Sequence, residues 1–151
     1  MSQIKFPGIR SCCAALCLVI CAVWGSPDAQ AFDATTRLTH VALTDRDVGQ
    51  ALSAGLDRTF DQVFPEQHYG VRVIVDGIDL RNGQMVIYMS LGLARRTSNG
   101  QHWQQHATTS HALILPTNLS PQQQHSAVMN DLSKLAGAFS QAMIQNASRV
   151  R

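Results

Sequence analysis

Val71-Arg72-Val73-Ile74-Val75-Asp76-Gly77-Ile78-Asp79-Leu80, then Arg81-Asn82-Gly83-Gln84, then Met85-Val86-Ile87-Tyr88-Met89-Ser90-Leu91-Gly92-Leu93 is the stretch that decides the fold. Two strand-forming runs flank an Asn-Gly pair, the strongest short-range signal for a hairpin, because both central residues of a type I′ turn take positive φ. In the second run Met85, Ile87, Met89, Leu91 and Leu93 alternate without a break, so one face of that strand is apolar. The first run changes phase. Val71, Val73 and Val75 share one register, while Ile78 and Leu80 fall in the other. One extra residue at Asp76-Gly77 brings both sets to one face, which predicts a β-bulge there.

The neighbours of this hairpin extend it into a layered domain. Ser98-Asn99-Gly100-Gln101 repeats the turn signal and starts a further strand, His102 to Leu115, which Pro116 stops. Ser120-Pro121-Gln122-Gln123 combines an N-cap serine, a proline at the first helical position and a capping-box glutamine. Behind it Val128, Leu132, Leu135, Ala136, Phe139, Ala142 and Met143 lie at helical spacing. Upstream, Arg37 to Leu43 reads as a short strand. Thr44-Asp45-Arg46-Asp47 then caps a helix over 46–63, ended by Pro65. The expected fold is α+β: a two-layer sandwich in the order β-α-β-β-β-α, with an antiparallel sheet and both helices packed on one face. The first strand is expected beside the strand 71–80.

Ahead of this domain stands an address. Lys5 and Arg10 precede an apolar run from Cys12 to Trp24, whose 13 residues fit a signal-peptide core and fall short of the roughly 20 needed to span a bilayer. Ala29-Gln30-Ala31 is a small-x-small cleavage signal, so the reading is a signal peptide over 1–31 and a single domain over 32–151. The alternatives are an uncleaved anchor and a lipidated Cys21; for the latter, Ile20 is bulky where a lipobox takes a small residue. All four cysteines, Cys12, Cys13, Cys17 and Cys21, lie in the leader. The processed chain therefore has no thiol, which excludes disulfides, cysteine-based zinc sites and cysteine nucleophiles, and suits a bacterial periplasm. With a net charge of +2, the chain lacks the basic footprint of a nucleic-acid binder.

Chemistry-bearing residues are sparse. There is no G-x-S-x-G elbow, phosphate loop, H-E-x-x-H or dinucleotide fingerprint, so no catalytic residue and no cofactor is expected. Among the six histidines, His102 and His106 form the one pairing that invites a metal. On a strand that spacing sets them about 13 Å apart, against a shared ion. Counting from the Asn99-Gly100 turn pairs Leu93 with His106 and Tyr88 with His111. That register places His106 on the inner face, His111 on the outer, and Arg96 opposite Trp103 for a cation–π contact. Asp57 and Asp61 read as a solvated helix face.

The sheet face turned away from the helices is more informative. Ile74, Val86, Tyr88 and Leu113 are expected there, where an antiparallel sheet open to water normally carries polar residues. Contiguous apolar surface marks a partner site. Free strand edges also permit strand addition, and with it a homodimer.

The segment Tyr69-Gly70-Val71-Arg72-Val73-Ile74-Val75 through Gln84-Met85-Val86-Ile87-Tyr88-Met89-Ser90-Leu91-Gly92-Leu93-Ala94-Arg95 resembles the hairpin of the ABC-type transport auxiliary proteins, the PqiC-like group. The closing helix, with Asp131-Leu132-Ser133-Lys134-Leu135-Ala136 and Ala142-Met143-Ile144, is similar to theirs. The resemblance implies a small, non-catalytic envelope component that binds a larger transport or lipid-handling complex. The alternative is a small-ligand or metal carrier using His102 and His106.

Overall fold

The computed structural model describes residues 34–96 and 103–150. The leader, its cleavage site, the 98–101 turn and His102 lie outside them. The element order is β1 (Ala34–Thr39), α1 (Asp45–Gly55), α2 (Phe60–Val63), β2 (Tyr69–Asp79), β3 (Gln84–Arg96), β4 (Trp103–Pro116), α3 (Pro121–Gln145) and α4 (Ala147–Val150). The four strands form one sheet in the order β1-β2-β3-β4. Helices cover one face of it, so the architecture is the expected α+β sandwich.

The sheet is mixed rather than antiparallel. β1 lies beside β2, as expected, but runs parallel to it, with Arg37 opposite Ile74 and Leu38 opposite Val75. The reason is the connection: a strand that returns to its neighbour through a helix re-enters the sheet from the same end. β1 also stops early, because His40 adopts a left-handed conformation at φ 55°.

The hairpin differs from expectation in one residue, and that residue changes which side chains are exposed. Leu80 N–H donates to Gln84 O at 3.0 Å, closing a three-residue loop over Arg81, Asn82 and Gly83. Arg81 and Gly83 take positive φ, 59° and 80°. β2 and β3 then pair in unbroken register from Tyr69–Arg95 to Asp79–Met85. The loop takes up the extra residue, so there is no bulge at Asp76-Gly77. Glycine is needed at position 77 for close approach instead. A Cβ there would stand 2.6 Å from the carbonyl oxygen of His40, so the turn after β1 rests on bare backbone.

A bulge does occur, in β4. Leu93 pairs with Ala107 and Ala94 with Gln105, so His106 is the additional residue. Its effect is a phase shift. Arg96 faces Trp103 as counted from the turn, but beyond the bulge every pairing moves by one: Met89 opposes His111, Ile87 opposes Leu113 and Val86 opposes Ile114.

Helix boundaries follow their caps. The Thr44 hydroxyl accepts from Asp47 N–H while the Asp47 carboxylate accepts from Thr44 N–H, and Ser120 and Gln123 do the same for α3. The single helix expected over 46–63 is two. After Gly55 the chain turns extended at Leu56. Asp57 N–H donates to the buried Ser140 hydroxyl of α3 at 2.9 Å, and the Asp57 carboxylate accepts from Thr59 N–H at 2.8 Å. The break lets α1 lie against α3, since a Cβ on Gly55 would come within 2.2 Å of Ser133 O. It also drops Phe60 and Phe64 into the core, where Phe60 meets Phe139 with ring centroids 5.8 Å apart.

Between the layers Val71, Val73, Val75, Ile87, Met89, Leu91 and Leu93 of the sheet are buried against Val48, Leu52, Leu132, Leu135 and Phe139. Each such side chain contributes about 1.5–3 kcal/mol relative to an exposed one. This core holds the sheet's other face to the outside.

Candidate functional site

Alternation along each strand assigns the outer face. Opposite Val73, Val75, Ile87 and Met89, which point inward, stand Ile74, Asp76 and Ile78 of β2, Leu80 just after it, Val86 and Tyr88 of β3, and Ile114 of β4. Ile78, Val86 and Ile114 are consecutive cross-strand neighbours and form one apolar row over three strands. Ile114 is 60% exposed, Ile78 51%, Leu80 44% and Tyr88 40%. Val86 and Ile74 are half-buried among them. Adjacent strands are about 4.8 Å apart, so the row is continuous surface rather than scattered single residues.

The patch has a direction. It occupies the end of the sheet nearest the 81–83 loop. Toward the opposite end the outer positions of β3 are the small residues Ser90 and Gly92, flanked by the exposed Arg37 and Arg72. An open depression of about 430 Å³ adjoins Ile78 and is bounded by His40, Asp76 and Asp79.

Of the residues expected on this face, Ile74, Val86 and Tyr88 are there and Leu113 is not. Leu113 pairs with buried Ile87 and packs against the core. The His106 bulge exchanges it for Ile114, which the sequence reading missed. Ile78 and Leu80 were missed for the companion reason, the three-residue loop. The signal was present in both cases: Ile114 between Leu113 and Leu115, and the phase change after Val75, which the expected bulge at Asp76-Gly77 had absorbed.

The same shift relocates the histidines. His111 lies on the helix side, with Nε2 3.2 Å from Asp131 Oδ2 of α3. His125 of α3 approaches Asp47 of α1 at 3.4 Å. Both are places where α3 comes close to a neighbouring element, β4 in the first and α1 in the second. Hydrogen bonds from the Thr44 hydroxyl and backbone, with a smaller contribution from His125, hold the Asp47 carboxyl below its ordinary pKa. Asp57 is lowered by the Thr59 backbone and hydroxyl groups. For the expected metal pair, His102 lies outside the described residues and His106 is described only as the bulge in the β4 backbone. Among the described residues no group of three or more His, Cys, Asp or Glu is placed to hold a metal. A crevice between Met85, Leu115 and Val128, rimmed by His40 and His125, measures about 40 Å³, far below the roughly 300 Å³ of a small-molecule site.

No described helix is long and apolar enough to cross a membrane. No protein-family model matches the chain, and no curated protein sequence matches it. Among solved structures it is distantly similar to that of a "putative lipoprotein" from Caulobacter crescentus CB15. The two share 14% identity with a TM-score of 0.34, over 77% of this chain and 88% of that one.

Proposed function

We propose that the chain is exported, trimmed after Ala31, and serves in the periplasm as a non-catalytic accessory subunit that docks on a larger envelope transport complex through the open face of its sheet. The observation that carries this reading is the Ile78–Val86–Ile114 row with Tyr88 and Leu80 beside it. These side chains stand outside a core that is already complete on the other side of the sheet. Leaving them in water has no role in folding, whereas apolar surface of this kind is what a protein partner covers. The depression beside Ile78 supplies a recess for a partner side chain. The leader supports the compartment, and the resemblance to ABC-type transport auxiliary proteins supports the class of partner.

Val86→Asp and Tyr88→Asp test it. Both positions face away from the core, so the variants are expected to keep the thermal midpoint within about 3 °C. A carboxylate forced into an apolar interface costs about 2 kcal/mol or more, so recovery of the partner from envelope extracts is expected to fall by roughly 30-fold. Undiminished recovery with both variants overturns the reading.

A further inference from the structure

We infer that the outer edge of β4 is a self-association site, where a second copy of this chain adds its own β4 antiparallel to form a continuous eight-stranded sheet. This pairing uses the strand edge, whereas docking uses the open face; Ile114 belongs to both.

The hydrogen-bond pattern of the sheet shows which backbone groups are available. Thr117 N–H donates to Gly83 O, so on this ladder the odd-numbered residues of β4 direct their amides at β3. By alternation the N–H and C=O groups of Ser110, Ala112 and Ile114 point to the other side. Among the described residues no strand pairs with them there. All three residues are exposed.

Natural edge strands are usually short, charged or interrupted, because a long regular edge invites another strand. β1, the opposite edge, is short at 6 residues. β4 is 14 residues long, and from Trp103 to Pro116 it contains no Asp, Glu, Lys or Arg. Its interruptions stand at the ends, the bulge at His106 and Pro116, and they leave Thr109 to Leu115 regular between them.

The occupant follows from symmetry. A twofold axis through Ala112, the midpoint of that run, sets Ala112 against its own copy, Ser110 against Ile114, and His111 against Leu113. Positions of equal parity meet, so inner residues stay inner and outer residues outer, and no like charges oppose one another. The pairing supplies about six main-chain hydrogen bonds from the outward groups. It also covers part of Ile114, the most exposed large apolar side chain described.

Ala112→Pro is the direct test, because proline there removes an outward N–H and no bond to β3. The chain is expressed at full length, purified from the envelope fraction and followed by sedimentation equilibrium, beside Ser110→Lys as a second edge variant. The native chain is expected at twice its monomer mass. Both variants are expected to weaken association at least tenfold, and Ser110→Lys decides if the proline variant does not fold. Val86→Asp is expected to leave the dimer intact, which separates this edge from the docking face. A native chain that stays monomeric at every concentration overturns the inference. So does a dimer that survives in a folded Ala112→Pro or in Ser110→Lys, or one that is lost in Val86→Asp.

Discussion

Gly55 and Gly49 lie in the same helix and should respond oppositely to alanine. At Gly55 a Cβ would overlap Ser133 O and stand 2.7 Å from the Ala136 Cβ, so α1 and α3 must separate. At Gly49 nothing lies within 4 Å. Gly55→Ala is expected to lower the unfolding free energy by about 1–3 kcal/mol through overpacking. Gly49→Ala is expected to raise it by about 0.5–1 kcal/mol through helix propensity. Urea titration of the two variants distinguishes them. Asp47 gives a pH signature. Its folded pKa is depressed below 3.8, so its contribution is present above that value and is lost as the pH falls through the lowered one. Stability should therefore decline below about pH 4, and Asp47→Asn should flatten that decline in acid-denaturation curves. The two capping boxes were legible because Thr44 with Asp47 and Ser120 with Gln123 are local chemistry. The function of Gly55 was not legible, since the atom it makes room for is 78 positions away.

At the scale of elements, α3 is held by its cap and by one buried hydroxyl. Ser120→Ala should cost about 1 kcal/mol by releasing the amide that the side chain caps. Ser140→Ala should cost about 1–3 kcal/mol, because it strands the Asp57 N–H where the chain turns between α1 and α2. Thermal unfolding of each variant provides the check. The same pair of residues explains why the helix over 46–63 could not be read whole. Val48, Leu52, Phe60 and Val63 keep helical spacing across the break, but Asp57-Arg58-Thr59 is an Asp-capped turn that redirects the chain. Strand positions were legible for β2, β3 and β4. Strand phase was legible only for β3, which alternates without interruption. For β2 the decisive residue sat in the turn, and for β4 it sat at His106. In each case one residue reversed the face of everything beyond it. The parallel course of β1 was not legible either, because strand direction is set by the path of α1 and α2 rather than by the composition of β1.

For the whole molecule, those two corrections together define the open face. Removing a bulge from β2 sends Ile78 and Leu80 outward, and adding one to β4 replaces Leu113 with Ile114. The open face thus gains Ile78 and Leu80 over the expected set, while Leu113 is exchanged one for one for Ile114. The apolar character of this flank was legible in Ile74, Val86 and Tyr88, while its extent depended on register. Among the described residues the core is closed by Phe60, Phe139, Leu132 and their neighbours on the helix side of the sheet, so substitutions on the outer face are expected to leave the fold intact. Site-specific photo-cross-linking tests this most directly, with the reactive side chain placed at Val86 or Tyr88 on the face and at Ala138 on the exposed side of α3 as reference. Irradiated in intact cell envelopes, the two face positions should yield the same discrete adduct and Ala138 none. Adducts of equal yield from all three positions, or none from Val86 and Tyr88, would contradict the proposal that this face meets a partner.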